Sequence, residues 1–275
     1  MQAPAVTQNP TAPARAAKNL ALLHWLSALL LGAIYFSTLA AVALQSDSNW
    51  LEALLLPLAA IGTLVALARQ LPSQNVLLAA AIIAGIGGGA HLLGAKTGIP
   101  FGSFWFGPEA GGKLFGILPW PIPLLWIVAV LNSRGVVRLV LRPWRKIHAY
   151  GFWLIGLTAL FTMLFDCALE PFASCKHYWL WTAGNVSLTS KGVPLADLVG
   201  WFIVTLLILA FVTPMLINKQ LSKRSVPDFH PLIIWLGGIL LFAVGSALNG
   251  LWLAVAADAL IAILAAIFAM RGARW

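Results

Sequence analysis

The sequence predicts an all-α fold: a polytopic transmembrane helical bundle of about eight spans. Three observations carry this expectation. Of the 275 residues, 61% are hydrophobic and 9% charged, against about a quarter charged in a soluble domain, and so little polar surface cannot cover a water-soluble core. Eight apolar windows are each long enough to cross a ~30 Å hydrocarbon core, which takes about 17–25 helical residues. The basic residues gather at alternate ends of those windows.

In chain order, residues 1–18 (MQAPAVTQNPTAPARAAK) are rich in Pro, Ala and Thr and read as a flexible cytoplasmic tail. That leaves 19–271 as a single transmembrane domain. The first window, 19–44, follows Arg15 and Lys18 as a signal peptide would, yet it is long enough to span and lacks a clear cleavage site. It reads as a retained helix. The remaining windows are 50–69, 76–94, 114–132, 147–168, 195–217, 231–247 and 250–270. Only GSALNG separates the last two, so seven spans with one long broken helix is the rival count.

Charge discriminates between the two counts. With the N-terminus inside, cytoplasmic segments hold Arg15, Lys18, Arg69, Arg134, Arg138, Arg142, Arg145, Lys146, Lys219, Lys223, Arg224, Arg271 and Arg274. Lys96, Lys113, Lys176 and Lys191 fall on the other side. An even span count, both termini cytoplasmic, satisfies the positive-inside rule. The expected location is the cytoplasmic membrane of a bacterium or archaeon. The net charge of +9 is therefore topogenic, and no basic polar domain offers a nucleic-acid footprint.

Two stretches do not read as plain helix. Residues 97–112 (TGIPFGSFWFGPEAGG) are rich in Gly and Pro yet apolar, and predict an irregular or re-entrant segment. Pro119, Pro121 and Pro123 then fall within the fourth window and predict a broken helix. Irregular backbone at membrane depth needs protein or a wet cavity to satisfy it, and such places often hold binding sites.

Ionisable residues in spans are costly and therefore functional candidates. Asp166 and Glu170, expected at the outer end of span five, are four apart and share a helical face. In an apolar pocket one of two close carboxyls keeps its proton, and a protonated acid in a dry site is a competent general acid. The competing reading leaves both among lipid headgroups. Asp197 opens span six, where a helix cap is the plain reading. Asp258, alone in span eight, could simply bond a neighbouring helix. His24, His148 and His230 share the cytoplasmic depth, where two facing imidazoles could hold a b-type haem; this is the most remote reading. His91 ends span three, directly before the irregular segment. Cys167 and Cys175 could pair in an oxidising compartment, but without further cysteines they read as two unpaired side chains.

Aromatic residues crowd the same side: Phe101, Phe104, Trp105, Phe106, Trp120, Trp126, Trp179, Trp181 and Trp201. Interfacial belts explain part of this density. Beside carboxylates, such rings could also line a groove for a long polyene and stabilise a carbocation.

The blocks TGIPFG at 97–102 (opening on Thr97), KLFGILPWPIPLLW at 113–126, DCALEP at 166–171, WLW at 179–181 and GVPLADLVGWF at 192–202 resemble, in order and spacing, the CruF-type carotenoid hydratases. The resemblance covers about residues 80–217. It implies hydration of the terminal 1,2 double bond of a ψ-end carotenoid, of the γ-carotene or bisanhydrobacterioruberin type, without metal or organic cofactor. It also implies that Asp166 and Glu170 serve as proton donor and cation stabiliser, with Asp197 orienting the water where the family more often has Asn. The sequence departs from the family at His91, which replaces Glu and could itself serve as acid or base, and at Phe104 and Phe106, which replace Tyr. Those departures keep a second class open, a non-catalytic carotenoid-binding subunit of a pigment–protein complex. In either case the expected partners are a long polyene and membrane lipid.

Overall fold

The computed structural model describes residues 12–46, 48–182, 194–217 and 227–275, with side chains from residue 18 onward. Most of the expected N-terminal tail lies outside these residues, as do Asp47, Lys191, Lys219, Lys223 and Arg224. Eight helices form the bundle: α1 (Ala12–Ala43), α2 (Asn49–Ala68), α3 (Ser73–Thr97), α4 (Pro121–Val140), α5 (Tyr150–Cys175), α6 (Leu195–Val212), α7 (His230–Leu248) and α8 (Trp252–Ala273). Each is long and apolar enough to cross a bilayer, α1 from Lys18 onward and α6 together with the 3-10 turn that follows it. The chain is an integral membrane protein.

The eight-span count stands. Between α7 and α8, Gly250 takes φ +71°, while Gly250 N–H bonds Ala247 O and Leu251 N–H bonds Ser246 O, both at 3.0 Å. This paired geometry is the glycine-capped end of a helix. It terminates α7 and turns the chain back into α8.

The fourth span differs from expectation. It runs Pro121–Val140 rather than 114–132, and it is unbroken. Pro121 and Pro123 occupy its first turn, where backbone N–H groups have no intrahelical acceptor and proline costs nothing. The prolines start the helix instead of interrupting it. Moving the span also moves Arg134, which is buried inside α4 with its guanidinium donating to Leu216 O at 3.0 Å; it is not a loop residue.

Helix α4 is the axis of the bundle, packed against α2, α3, α5, α7 and α8. Polar side chains tie it to its neighbours: Asn132 Nδ2 donates to Thr63 Oγ1 of α2 at 2.9 Å, and Trp235 Nε1 of α7 donates to Ser133 Oγ at 3.1 Å. In lipid no hydrophobic force drives helices together, so such bonds and close packing do that work. Helix α1 is peripheral, packing on α2 and α7.

One end of the bundle carries the α3–α4 and α5–α6 connections and is here called the loop end. Between α3 and α4 lie β1 (Phe104–Phe106), β2 (Lys113–Leu114) and β3 (Leu118–Pro119), and after α5 lies β4 (Trp179–Trp181). The expected irregular segment is therefore a strand-bearing cap: β1 pairs antiparallel with β4 in the register Phe104↔Trp181 and Phe106↔Trp179. That pairing satisfies backbone groups that apolar surroundings would leave unmet.

Candidate functional site

Three carboxylates meet under the cap. Helix α5 continues through Pro171 to Cys175, which sets Asp166 nine residues, about 13 Å, inside the helix end. Asp166 and Glu170 are thus buried within the bundle, not among headgroups, at 0% and 3% exposure. Asp197, in the first turn of α6, faces them and is equally buried. One oxygen from each lies within 4.8 Å of the others.

Their partners differ. Glu170 accepts two indole N–H bonds from β4, Trp179 Nε1 to Oε1 at 2.9 Å and Trp181 Nε1 to Oε2 at 3.1 Å. Both oxygens of Asp166 and one of Asp197 have no hydrogen-bond donor among the described residues. No basic side chain there pairs with any of the three. Three negative charges in so small a buried volume are costly unless protons or a cation balance them. The same oxygens have spacing compatible with a divalent cation, which would need further oxygen ligands to fill its shell.

Beside this cluster stands an aromatic box. His91 lies inside α3, which continues six residues beyond it, and is buried. Its Nδ1 accepts from Trp126 Nε1 at 3.0 Å. Trp126 stacks on Trp201 at 3.9 Å, while Phe101, Phe104 and Phe106 ring the imidazole at 4.4–6.3 Å. The box is packed tightly enough that a Cβ on Gly87 would fall 2.2 Å from the Trp126 ring. Phe104 touches Trp181 at 5.3 Å, so a continuous wall of rings joins His91 to the donors of Glu170. The three departures from the family pattern, His91, Phe104 and Phe106, are neighbours in space.

Not every expected residue joins this site. Thr97 closes the end of α3, bonding Leu93 O at 2.8 Å, and Trp105 points outward from β1 at 52% exposure. His24 and His230 meet ring to ring at 5.1 Å, leaving no gap for a macrocycle, and His148 is exposed. Asp258 is buried with one oxygen unpartnered, apart from the triad. Both cysteines are free.

A cavity of about 650 Å³ lies on the other side of α5, between α1, α2, α4 and α7. Of the expected polyene-binding residues, Trp120 and Trp179 line it, and the carboxylate triad does not. Phe165, Leu169 and Phe172 of α5 form its wall together with Trp179. At its loop end is a polar group that the sequence reading missed. Glu52 of α2 pairs with Lys176 at 2.8 Å and accepts hydrogen bonds from Ser48 and Tyr178. A carboxylate in the apolar run NWLEALLLP was the available signal.

Fold and site together define a membrane protein that holds buried acids against aromatic faces beside an apolar cavity. The family model described as carotenoid biosynthesis protein matches residues 48–265, and the chain belongs to that family. A curated relative, the bisanhydrobacterioruberin hydratase of Haloarcula japonica, is 31% identical over 116 residues, 42% of this chain and 37% of the relative. No solved structure matches.

Proposed function

We propose that the protein is a carotenoid hydratase, adding water across the terminal 1,2 double bond of a ψ-end carotenoid. The observation that carries this reading is the buried Asp166–Glu170–Asp197 triad, an acid store held against aromatic faces in a protein of carotenoid biosynthesis. The name of the Haloarcula relative supports it. A carboxylic acid of the triad gives its proton to C2 of the terminal alkene, which leaves a tertiary cation at C1. The oxygen of a water bonds C1, that water's second proton is released to a carboxylate, and the net change is one added water. Glu170, already accepting two indole N–H bonds, is the anion that stabilises positive charge, and the ring wall adds its quadrupoles. Asp166 is the donor and Asp197 orients the water.

One observation favours the second reading, a carotenoid-binding subunit without catalysis: the triad does not open onto the cavity, and Trp179 stands between them. Co-expression with a pathway that ends in a ψ-end carotenoid decides. The hydratase yields pigment carrying a new tertiary hydroxyl, and Asp166→Asn and Glu170→Gln each lower that yield about 10²–10⁴-fold. Unchanged carotenoid co-purifying with wild type would establish the binding role instead. Chelator treatment of purified protein leaves hydration intact under the acid mechanism; loss restored by a divalent ion would make the triad a metal site.

A further inference from the structure

We infer that the cavity between α1, α2, α4, α5 and α7 binds one extended isoprenoid polyene lengthwise, with its terminal group against Glu52 and Tyr178. The inference rests on the hydratase reading for the identity of that terminus, but the binding chamber does not require turnover. The chamber is long and apolar. It follows α7 from His230 to Phe242, twelve residue steps or about 18 Å, more than half of the hydrocarbon thickness. Its 650 Å³ falls in the range of lipophilic ligand sites.

The loop end is polar. At the loop end the chamber wall includes the Glu52 carboxylate, the Tyr178 hydroxyl and the Trp179 ring. Ser48, Lys176 and Tyr178 donate to Glu52, filling three of its roughly four acceptor positions. Burial and the Glu52 charge hold the Tyr178 phenol well above its ordinary pKa, so it keeps its proton. The remaining acceptor position of Glu52 and the Tyr178 oxygen can together seat one water at the chamber head. Behind Trp179, whose indole N–H bonds Glu170, lies the acid triad. A terminus at the chamber head is thus one indole away from the triad, so protonation by the triad requires the Trp179 side chain to turn aside, and Glu52 and Tyr178 act by positioning the terminus.

Phe36 of α1 and Ile233 and Leu240 of α7 line the chamber and are themselves exposed on the bundle surface, so the α1–α7 seam, tied by Tyr35 Oη donating to Gly237 O at 2.9 Å, is the side of the chamber that faces lipid. Gly32 lines the same space, and a Cβ there would meet nothing within 4 Å. A side chain at that position starts into the chamber without its Cβ meeting a neighbour.

The test uses full-length protein purified from cells that make a ψ-end carotenoid, with bound pigment read from its absorption. Gly32→Trp is expected to lose the pigment. Gly89→Trp, exposed on α3 with nothing within 4 Å of its Cβ, is expected to keep it. Glu52→Gln and Tyr178→Phe are expected to retain pigment while hydrated product falls about 100-fold, with elution profile and melting temperature verifying that each variant is folded. Pigment retained in Gly32→Trp would overturn the chamber. Undiminished hydration in both Glu52→Gln and Tyr178→Phe would overturn the placement of the terminus. If wild type retains pigment that Gly32→Trp loses, and neither forms hydrated product, the chamber stands and the hydratase reading falls.

Discussion

His91, Phe104 and Phe106 depart from the family pattern one by one in sequence and as a single cluster in space, because β1 folds back onto α3. An acid and two phenols there could satisfy one another; an imidazole bonded to Trp126 and two phenyl rings form a different but equally closed set. The substitutions are therefore coupled. His91→Glu alone should bury a carboxyl with the Trp126 indole as its one donor and cost about 1–3 kcal/mol. Adding Phe104→Tyr and Phe106→Tyr should recover a large part of that loss, and thermal unfolding in detergent reads both. Equal melting points for single and triple variants would show the positions to be independent. At this scale the sequence was partly legible. Asp166 and Glu170 announced themselves by helical spacing. Glu52 stood out only as a carboxylate in an apolar run; its partners Lys176 and Tyr178 lie 124 and 126 residues away, and no local pattern links them.

Between helices, α4 decides the architecture. Misreading Pro121 and Pro123 as breakers rather than starters displaced the span and turned Arg134 into a loop residue. The hydropathy of 114–132 is high enough to span, and only the helix-start chemistry of proline distinguishes the two registers. The correct register brings α8 onto α4 so closely that a Cβ at Gly272 would fall 2.0 Å from Leu139 O. That atom is backbone and cannot rotate away. Gly272→Ala should therefore push α8 off the axis and lower stability by about 1–3 kcal/mol, measured as a drop in unfolding temperature. An unchanged melting point would mean that α8 is not held at that contact.

For the molecule as a whole, the charge distribution proposes an orientation, basic end to the cytoplasm and loop end outside. Cysteine placed at Phe115, 86% exposed at the loop end, should react with an impermeant maleimide on intact cells. Cysteine at Arg145 should react only after permeabilisation; the opposite pattern would invert the molecule. The number of spans was legible because hydropathy and charge are properties of whole segments. The chamber was not, since its walls come from five helices whose individual patterns say only that they are apolar.

The α1–α7 seam, where the proposed chamber faces lipid, sets how a ligand would reach it. A polyene that arrives sideways never passes through water, so the concentration that matters is its mole fraction among lipids, not its amount per volume. Diluting proteoliposomes leaves that fraction unchanged, whereas enlarging the lipid pool at constant pigment lowers it. Occupancy of the proposed chamber would thereby scale with membrane composition, falling when a cell grows its bilayer faster than its pigment.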